Sequence, residues 1–188
     1  TTRVISSKSF VPQNRERIFI VGVRDHDDFD VNNVPIPDPE SGPRMGSILH
    51  PENGSELPED PFTSGALARV NPKYTLTPRL WEYLQGYAAK HRAAGNGFGY
   101  GIVGPEDVSR TLSARYYKDG SEILIKQSRR RPRRLTPREA ARLMGFDTPE
   151  REWNITVSDM QAYKQFGNAV VPAVVAAVAR ELVAEREV

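Results

Sequence analysis

Residues 126–146 (KQSRRRPRRLTPREAARLMGF) constrain the fold of this 188-residue chain more than any other stretch, because a dense run of cations leads directly into a helix start. Thr136 is a favourable N-cap, Pro137 suits the first helical position, and Glu139 follows the cap by three residues. This spacing predicts a capping box. Gly145 is suited to end the helix in a left-handed conformation. The sequence therefore predicts a short, capped helix immediately after the basic strip.

Charge is unevenly distributed, although the net charge is only +2. Residues 126–142 hold eight cations and one acid, a net +7, whereas residues 25–60 hold ten acids and one arginine, a net −9. A run of cations is often no more than a solvated face. Polarised charge of this kind also favours one surface that faces a polyanion.

The chain has no cysteine, which excludes disulfides, cysteine-ligated zinc and a thiol nucleophile supplied by this chain. Its three histidines, His26, His50 and His91, show no metal-ligand spacing, so we predict no metal site. No apolar run approaches the roughly 20 residues that cross a bilayer, and no signal-peptide pattern opens the sequence. We therefore expect a cytoplasmic protein with no membrane partner.

Three further stretches predict regular structure. The apolar run at 17–23 (RIFIVGV) predicts a strand buried on both faces. An apolar stripe that follows Thr77 predicts a helix over 78–93. Residues 108–125 predict a β-hairpin with its turn at Asp119-Gly120.

The remaining stretches predict connections and a final helix. Residues 25–75 are rich in Asp, Pro, Gly and Asn, which predicts an extended connector with turns and little core. Residues 95–101 (GNGFGYG) follow a helix instead of a strand, so we reject a dinucleotide-binding loop. They favour either a loop whose backbone approaches a partner closely or a simple flexible turn. The apolar helix that runs from 171 to 182 favours burial against a partner surface.

Three segments together resemble the eighth, ninth and tenth motifs of DNA (cytosine-5) methyltransferases. They are 12–17 (PQNRER), 134–146 (RLTPREAARLMGF) and 165–170 (QFGNAV), in the order of that family. Residues 73–125, with GNGFGYG and TLSARYYKDG, resemble the target-recognition region of the Dcm-type branch. The resemblance spans essentially the whole chain.

The resemblance implies that this chain is the C-terminal part of such an enzyme. The early motifs of the family supply a glycine-rich loop for S-adenosylmethionine, a Pro-Cys nucleophile and a catalytic glutamate, and none is present here. We expect an α+β chain: a small, irregular, mostly β recognition domain with its connector (25–146), flanked by a strand segment (1–24) and a helical return (147–188). The two flanks would belong to an incomplete doubly wound, Rossmann-like methyltransferase domain.

The resemblance also implies site residues. Arg15 and Arg17 would support the flipped cytosine, with Arg17 on its carbonyl and Arg15 favouring the thiolate and a nearby phosphate. From the residues alone, the pair favours an ordinary solubilised strand end. Residues lining the amino-acid end of an incomplete S-adenosylmethionine pocket would be Gly167, Asn168 and Ala169. Since many relatives carry serine in place of Ala169, only its backbone could contribute.

Double-stranded DNA is the implied partner, and arginine paired with guanine is the commonest specific contact in its major groove. The candidate contacts in the predicted hairpin are Arg110, Thr111, Leu112, Arg115 and Lys118. Further candidates in the glycine-rich loop are Asn96, Phe98 and Tyr100. Candidates for phosphate contacts are Arg129, Arg130 and Arg131, within a strip that extends to Arg134. A CC-containing target such as CC(A/T)GG is implied.

Two alternatives stay open from the sequence. The chain is either the recognition portion of a methyltransferase, in a restriction-modification or Dcm-like context, or a stand-alone DNA-binding module or specificity subunit that lacks chemistry. The specificity part of a restriction nuclease is a weaker interpretation, because no paired-acid and lysine cluster is placed convincingly. The isolated chain is also expected to self-associate through its apolar last helix or to pack that helix on the recognition domain.

Overall fold

The computed structural model describes residues 1–24, 29–97, 99–148 and 151–184. Four helices and six short strands are connected by turns and 3₁₀ segments. The helices are α1 (Pro78–Ala93), α2 (Pro137–Leu143), α3 (Asp159–Asn168) and α4 (Pro172–Ala184). The strands are β1 (Thr2–Ser6), β2 (Glu16–Ile20), β3 (Thr63–Ser64), β4 (Arg69–Val70), β5 (Ile102–Val103) and β6 (Leu124–Ile125).

The strands form three two-stranded sheets. β1 and β2 are antiparallel, as are β3 and β4, whereas β5 and β6 are parallel. One main core collects side chains from both ends of the chain and from the connector. Its fully or nearly fully buried members include Ile5, Val31, Met45, Leu112, Leu143, Tyr163 and Val174.

The predicted strand at 17–23 is wrong in its bounds and its burial. β2 ends at Ile20, and its side chains Ile18 and Ile20 are 61% and 73% exposed. In the described part of the chain β2 has one neighbour, β1, with Val4 opposite Ile18. Only the opposite face, which includes Phe19, packs against the core. The antiparallel pair β1–β2 therefore exposes one apolar face to solvent.

The connector is also different from the prediction of little core. Its turn-forming residues produce short 3₁₀ segments and the β3–β4 pair, as their composition suggests. Between these turns, however, Val31, Val34, Met45 and Ile48 are buried in the main core. The connector is thus anchored every few residues, because its scattered apolar side chains fill space that no regular element fills.

Helix α1 confirms the prediction over 78–93. The Thr77 hydroxyl caps it by accepting a hydrogen bond from Leu80 N (3.2 Å). Leu84 on its inner face is fully buried in a second, smaller core cluster with Leu76 and Leu124. This helix therefore packs on β6 and the residues that precede the helix.

The predicted hairpin over 108–125 is wrong. β6 pairs in parallel with β5, and the residues between them form turns, an irregular stretch and an isolated parallel bridge from Ser109 to Gln13. Tyr116 is the physical reason: its fully buried hydroxyl donates to the Ile123 carbonyl (2.7 Å) and accepts from Leu135 N (2.8 Å). The turn at Gly120 (φ +67°) is real, but Tyr116 pulls the chain into the core instead of along a ladder.

The capping box at the start of α2 is confirmed. The Thr136 hydroxyl accepts from Glu139 N (3.0 Å), and the Glu139 carboxylate accepts from Thr136 N (2.9 Å). Gly145 adopts the predicted left-handed conformation, with φ +73°. Local sequence signals are therefore sufficient to place this helix.

By length and composition alone, the stretch Asp159–Ala184 is apolar and long enough to cross a membrane. It consists of two helices, α3 and α4, and contributes Tyr163, Val174 and Val178 to the main core. Other apolar side chains of this stretch, Met160, Val170, Val175 and Val183, are exposed, so burial within the protein accounts for only part of its apolar composition.

Candidate functional site

Three segments that are distant in sequence meet at one place, called here the junction: residues 12–15, 109–114 and 167–169. Several hydrogen bonds join the first two segments, among them Ser109 N to Pro12 O (2.9 Å), Asn14 N to Ser109 O (2.9 Å), Thr111 Oγ1 to Asn14 O (2.8 Å) and Leu112 N to Gln13 Oε1 (2.6 Å). These hydrogen bonds are spread over residues 12–14 of the first segment and residues 109–112 of the second. The two segments are therefore held in a fixed register.

Arg15 connects the third segment. Its side chain is buried, and its Nη1 donates to the Leu112 carbonyl (2.9 Å). Its Nη2 donates to the carbonyls of Gly167 (3.0 Å) and Ala169 (2.7 Å). The Arg15 guanidinium thus bonds both to residues 109–114, called here the recognition segment, and to the end of α3.

The end of α3 lies directly against the recognition segment. A Cβ atom placed on Gly167 would be 2.4 Å from the carbonyl carbon and oxygen of Ser113 and from Ala114 N. These are backbone atoms, so they cannot move aside as a flexible side chain would. Glycine is therefore required here for the close approach of the two backbones.

The junction holds a buried positive charge. The described hydrogen bonds of Arg15 all go to backbone carbonyls, and its buried Nε has no partner. Burial, and secondarily the nearby charge of Arg17, lowers the pKa of Arg15 to about 10. Arg15 therefore stays cationic at neutral pH and creates a positive potential in a dehydrated place.

Arg17 is arranged differently from Arg15. It is exposed on β2, and its Nη1 donates to the carbonyl of the adjacent Glu16 (2.6 Å). The two predicted site arginines are thus close in sequence but differ in burial. Arg15 is fixed by the fold, whereas the guanidinium of Arg17 lies at the surface.

Of the five candidate DNA contacts in the predicted hairpin, three have exposed side chains: Arg110, Arg115 and Lys118. Arg110 is held in place by a hydrogen bond from its Nη1 to the Gly99 carbonyl (2.7 Å). Leu112 is fully buried, so a direct contact between its side chain and DNA is incompatible with this structure.

Thr111 is half-buried, and its hydroxyl is bonded to Asn14 as described above. Together with Leu112 it is better explained as a residue that anchors the segment than as a base contact. In sequence the two residues are indistinguishable from exposed neighbours, because the burial comes from the 12–15 segment about a hundred residues earlier.

The candidate DNA contacts in the glycine-rich loop differ in how exposed their side chains are. Asn96 is exposed, with its side-chain nitrogen 3.2 Å from His91 Nδ1. Tyr100 is half-buried and packs edge-on against Trp81, with ring centroids 4.9 Å apart. Tyr100 is therefore part of the second core cluster. Phe98 lies outside the described residues.

The basic strip divides into exposed and buried cations. Arg129 and Arg130 are exposed, and Arg131 is exposed with its Nε bonded to the Leu76 carbonyl (2.7 Å). Arg133 is buried and donates two hydrogen bonds to Glu139, at 2.7 and 2.8 Å. The expectation that the strip as a whole contacts phosphates is therefore wrong at Arg133, which is already paired.

The acidic connector, together with Asp147 after α2, supplies further counter-ions. Arg138 pairs with Glu59 (2.6 Å) and Asp147 (2.7 Å), and Arg142 pairs with Glu56 (2.9 Å). The predicted separation of an acidic and a basic surface is therefore only partly correct, because several of these charges neutralise each other inside the protein.

A cleft of about 880 Å³ lies on the connector side of α2. Its polar lining residues include His50, Glu56, Glu59, Arg142, Asp147 and Glu152. None of the predicted DNA or cofactor residues lines it, and carboxylates outnumber cations in this list. The cleft therefore does not match a surface for a polyanion.

The residues at 167–169 fit only one edge of a cofactor pocket. The carbonyls of Gly167 and Ala169 are already bonded to Arg15, while Asn168 is exposed. The Asn168 amide is the polar side chain that this segment offers to a ligand. Any further cofactor contacts would have to come from other parts of an enzyme.

Comparison with known proteins defines the class. The fold is similar to that of S. pombe Dnmt2 methyltransferase, with a TM-score of 0.64 over 98% of this chain and 56% of that chain, at 18% identity. Residues 1–184 match the C-5 cytosine-specific DNA methylase family, and the chain belongs to that family. The resemblance found in the sequence is therefore confirmed at the level of the family.

Among its relatives, the DNA-cytosine methyltransferase of Escherichia coli (strain K12) is 46% identical over 204 residues, covering 96% of this chain and 40% of the relative. The type II methyltransferase M.NlaX of Neisseria lactamica is 44% identical over 184 residues, covering 96% and 51%. The chain thus spans about half the length of these relatives or less.

Proposed function

We propose that this chain is the target-recognition portion, with the eighth to tenth motifs, of an enzyme that transfers a methyl group from S-adenosylmethionine to C5 of cytosine in double-stranded DNA. The observation that carries the proposal is the junction, where the three predicted functional segments converge around Arg15. The context is Dcm-like methylation or restriction-modification in the cytoplasm. The proposed segments are a strand region (1–24), a recognition domain (25–146) and a helical return (147–188), the outer two being parts of a doubly wound domain.

In this proposal the recognition segment reads the duplex from the surface beside the junction. Arg110, Arg115 and Lys118 are exposed there, and arginine can form two hydrogen bonds with guanine in the major groove. Arg129, Arg130 and Arg131 contact phosphates, which fix position without specifying sequence. The target contains CC, as in CC(A/T)GG.

The chemistry requires the cytosine to leave the duplex, because its ring atoms are inaccessible while stacked. Bound S-adenosylmethionine supplies the methyl group. Arg17 donates from the surface to the carbonyl of the flipped base. Arg15 contributes mainly its fixed charge, because its Nη atoms are occupied, and a fixed cation stabilises negative charge that develops in the ring or on a nucleophile.

The nucleophile has to come from outside this sequence, since it contains no cysteine. The test joins this chain to the part of the E. coli relative that lies outside its match to this chain, giving what we call the joined enzyme. Transfer of a labelled methyl group to duplex DNA is measured for the chain alone, for the joined enzyme and for the intact E. coli relative. We expect transfer by the last two only.

Methyl transfer by the chain alone would contradict the proposed division of labour. A joined enzyme that folds and binds duplex DNA, yet transfers no methyl group, would instead favour a stand-alone DNA-binding module.

A further inference from the structure

Arg15 is the only point at which one side chain of the described chain bonds to both the recognition segment (109–114) and the end of α3 (167–169). Its two Nη atoms donate to the carbonyl of Leu112 and to the carbonyls of Gly167 and Ala169, which lie 55 or more positions later along the chain. The guanidinium is buried, and these carbonyls replace its hydration shell. Loss of either set of carbonyls would leave a buried charge poorly solvated, which is unfavourable.

The contact has little slack. Gly167 already lies so close to Ser113 and Ala114 that no Cβ atom fits between them. On the other side, Leu112 N is held by Gln13 Oε1, and the Gln13 amide nitrogen is 3.4 Å from the Leu143 carbonyl. A displacement of the recognition segment would therefore move the 167–169 carbonyls or break their bonds to Arg15.

We propose that Arg15 is a positioning residue that couples DNA binding at 109–114 to cofactor binding at 167–169. The inference rests on the proposed function, in which exposed cations at and beside 109–114 read DNA, and it takes 167–169 as the predicted edge of the cofactor pocket. The arrangement with all three carbonyls on Arg15 is favoured by whichever ligand binds first, and it then presents the second segment correctly. Coupling of this kind is reciprocal, because each ligand must raise the affinity of the other by the same factor.

A lysine at this position would keep the charge but lose the geometry. An ammonium group is a single point of donation, whereas the planar guanidinium directs hydrogen bonds from separate nitrogens. Arg15→Lys is therefore expected to weaken the link between the segments more than binding at either one. Arg180→Lys is the matched control, because Arg180 is exposed, lies outside the three junction segments, and its Nε donates to the Ala176 carbonyl of its own helix (3.2 Å).

The test measures the dissociation constant of a target duplex for the joined enzyme, with and without S-adenosylhomocysteine as an unreactive cofactor probe. We expect the probe to tighten DNA binding by a factor of roughly 5–150 in the parent and in Arg180→Lys. In Arg15→Lys the factor is expected to fall to about 1. The thermal unfolding midpoint is recorded for each variant, since a purely structural role would lower the midpoint and leave the ratio unchanged.

Amide hydrogen exchange of the joined enzyme without substitutions provides a readout that does not depend on the folding of any variant. Addition of S-adenosylhomocysteine is expected to slow exchange at 109–114, although the probe binds at 167–169. A ratio in Arg15→Lys within twofold of the parent value, or unchanged exchange at 109–114, would overturn the coupling. A joined enzyme that binds neither ligand would instead show that the proposed function itself is wrong.

Discussion

At the scale of single residues, the carboxylate of Glu139 joins the helix cap to a tertiary ion pair. It accepts hydrogen bonds from Thr136 N, from His50 N (3.0 Å) and from both Nη atoms of Arg133. The cap could be predicted, because its signal is a three-residue spacing. The role of Arg133 could not, because one cation in a basic run looks like its neighbours until burial distinguishes it.

Glu139→Gln is expected to reduce the free energy of unfolding by about 3–5 kcal/mol, because it leaves Arg133 buried without its counter-ion. Burial raises the pKa of Glu139, but the charge and hydrogen bonds of Arg133 outweigh burial and place the pKa below its ordinary value of 4.5. The unfolded chain therefore takes up this proton first on acidification. The stabilisation is complete well above pH 4.5 and is lost as pH falls through the depressed pKa.

Urea denaturation at neutral and acidic pH measures this difference. Glu82→Gln, on the exposed face of α1, is the control and should leave the unfolding midpoint nearly unchanged. An unchanged midpoint in Glu139→Gln at neutral pH would show that the ion pair contributes nothing net.

At the scale of elements, helices α1 and α2 follow from local signals and the short strands do not. Caps at Thr77 and Thr136 and a glycine at 145 locate the ends of α1 and α2, since each signal acts within one turn. The supposed hairpin at 108–125 fails because an apolar, β-branched composition does not reveal which side chain enters the core. The burial of Tyr116 decides the path, and its partners Ile123 and Leu135 are set by tertiary structure.

Tyr116→Phe tests this account. The change keeps the ring but leaves Leu135 N–H without its acceptor and the Ile123 carbonyl without its donor, both in the core. We expect a loss of about 1–3 kcal/mol in the free energy of unfolding. Tyr83→Phe, at an exposed site on α1, is the matched control and should have little effect in the same denaturation experiment. Equal effects of the two changes would contradict the assigned role of Tyr116.

At the scale of the whole molecule, ion pairs between the connector and α2 determine which cations remain for a polyanion. Arg138 and Arg142 are paired with connector acids, whereas Arg115 and Arg130 are exposed. Net charge and charge runs predict that some cationic surface exists. They cannot say which members are neutralised, because the acids and cations that meet are about 80 residues apart.

Salt-dependent DNA binding by the joined enzyme should separate the two classes of exposed cation. Arg130→Ala is expected to weaken binding to all duplexes alike and to reduce the slope of log affinity against log salt by about 1. Arg115→Ala is expected to relax the choice of target at one base position. The binding free energy that separates the correct base from a wrong one should fall there by about 1–3 kcal/mol. Arg180→Ala, on α4, serves as the control for both. Equal effects of the Arg115 and Arg130 changes on target choice would undo the assignment.

The contact at Gly167 also limits how such enzymes could exchange specificities. A recognition segment borrowed from a relative would fit only if its backbone followed the same path as Ser113 and Ala114, whatever side chains it displayed to DNA. Arg110 and Arg115, which we propose to read bases, lie within a few residues of that path. Exchange of recognition segments between relatives would therefore conserve the path of the main chain and vary the side chains that face DNA.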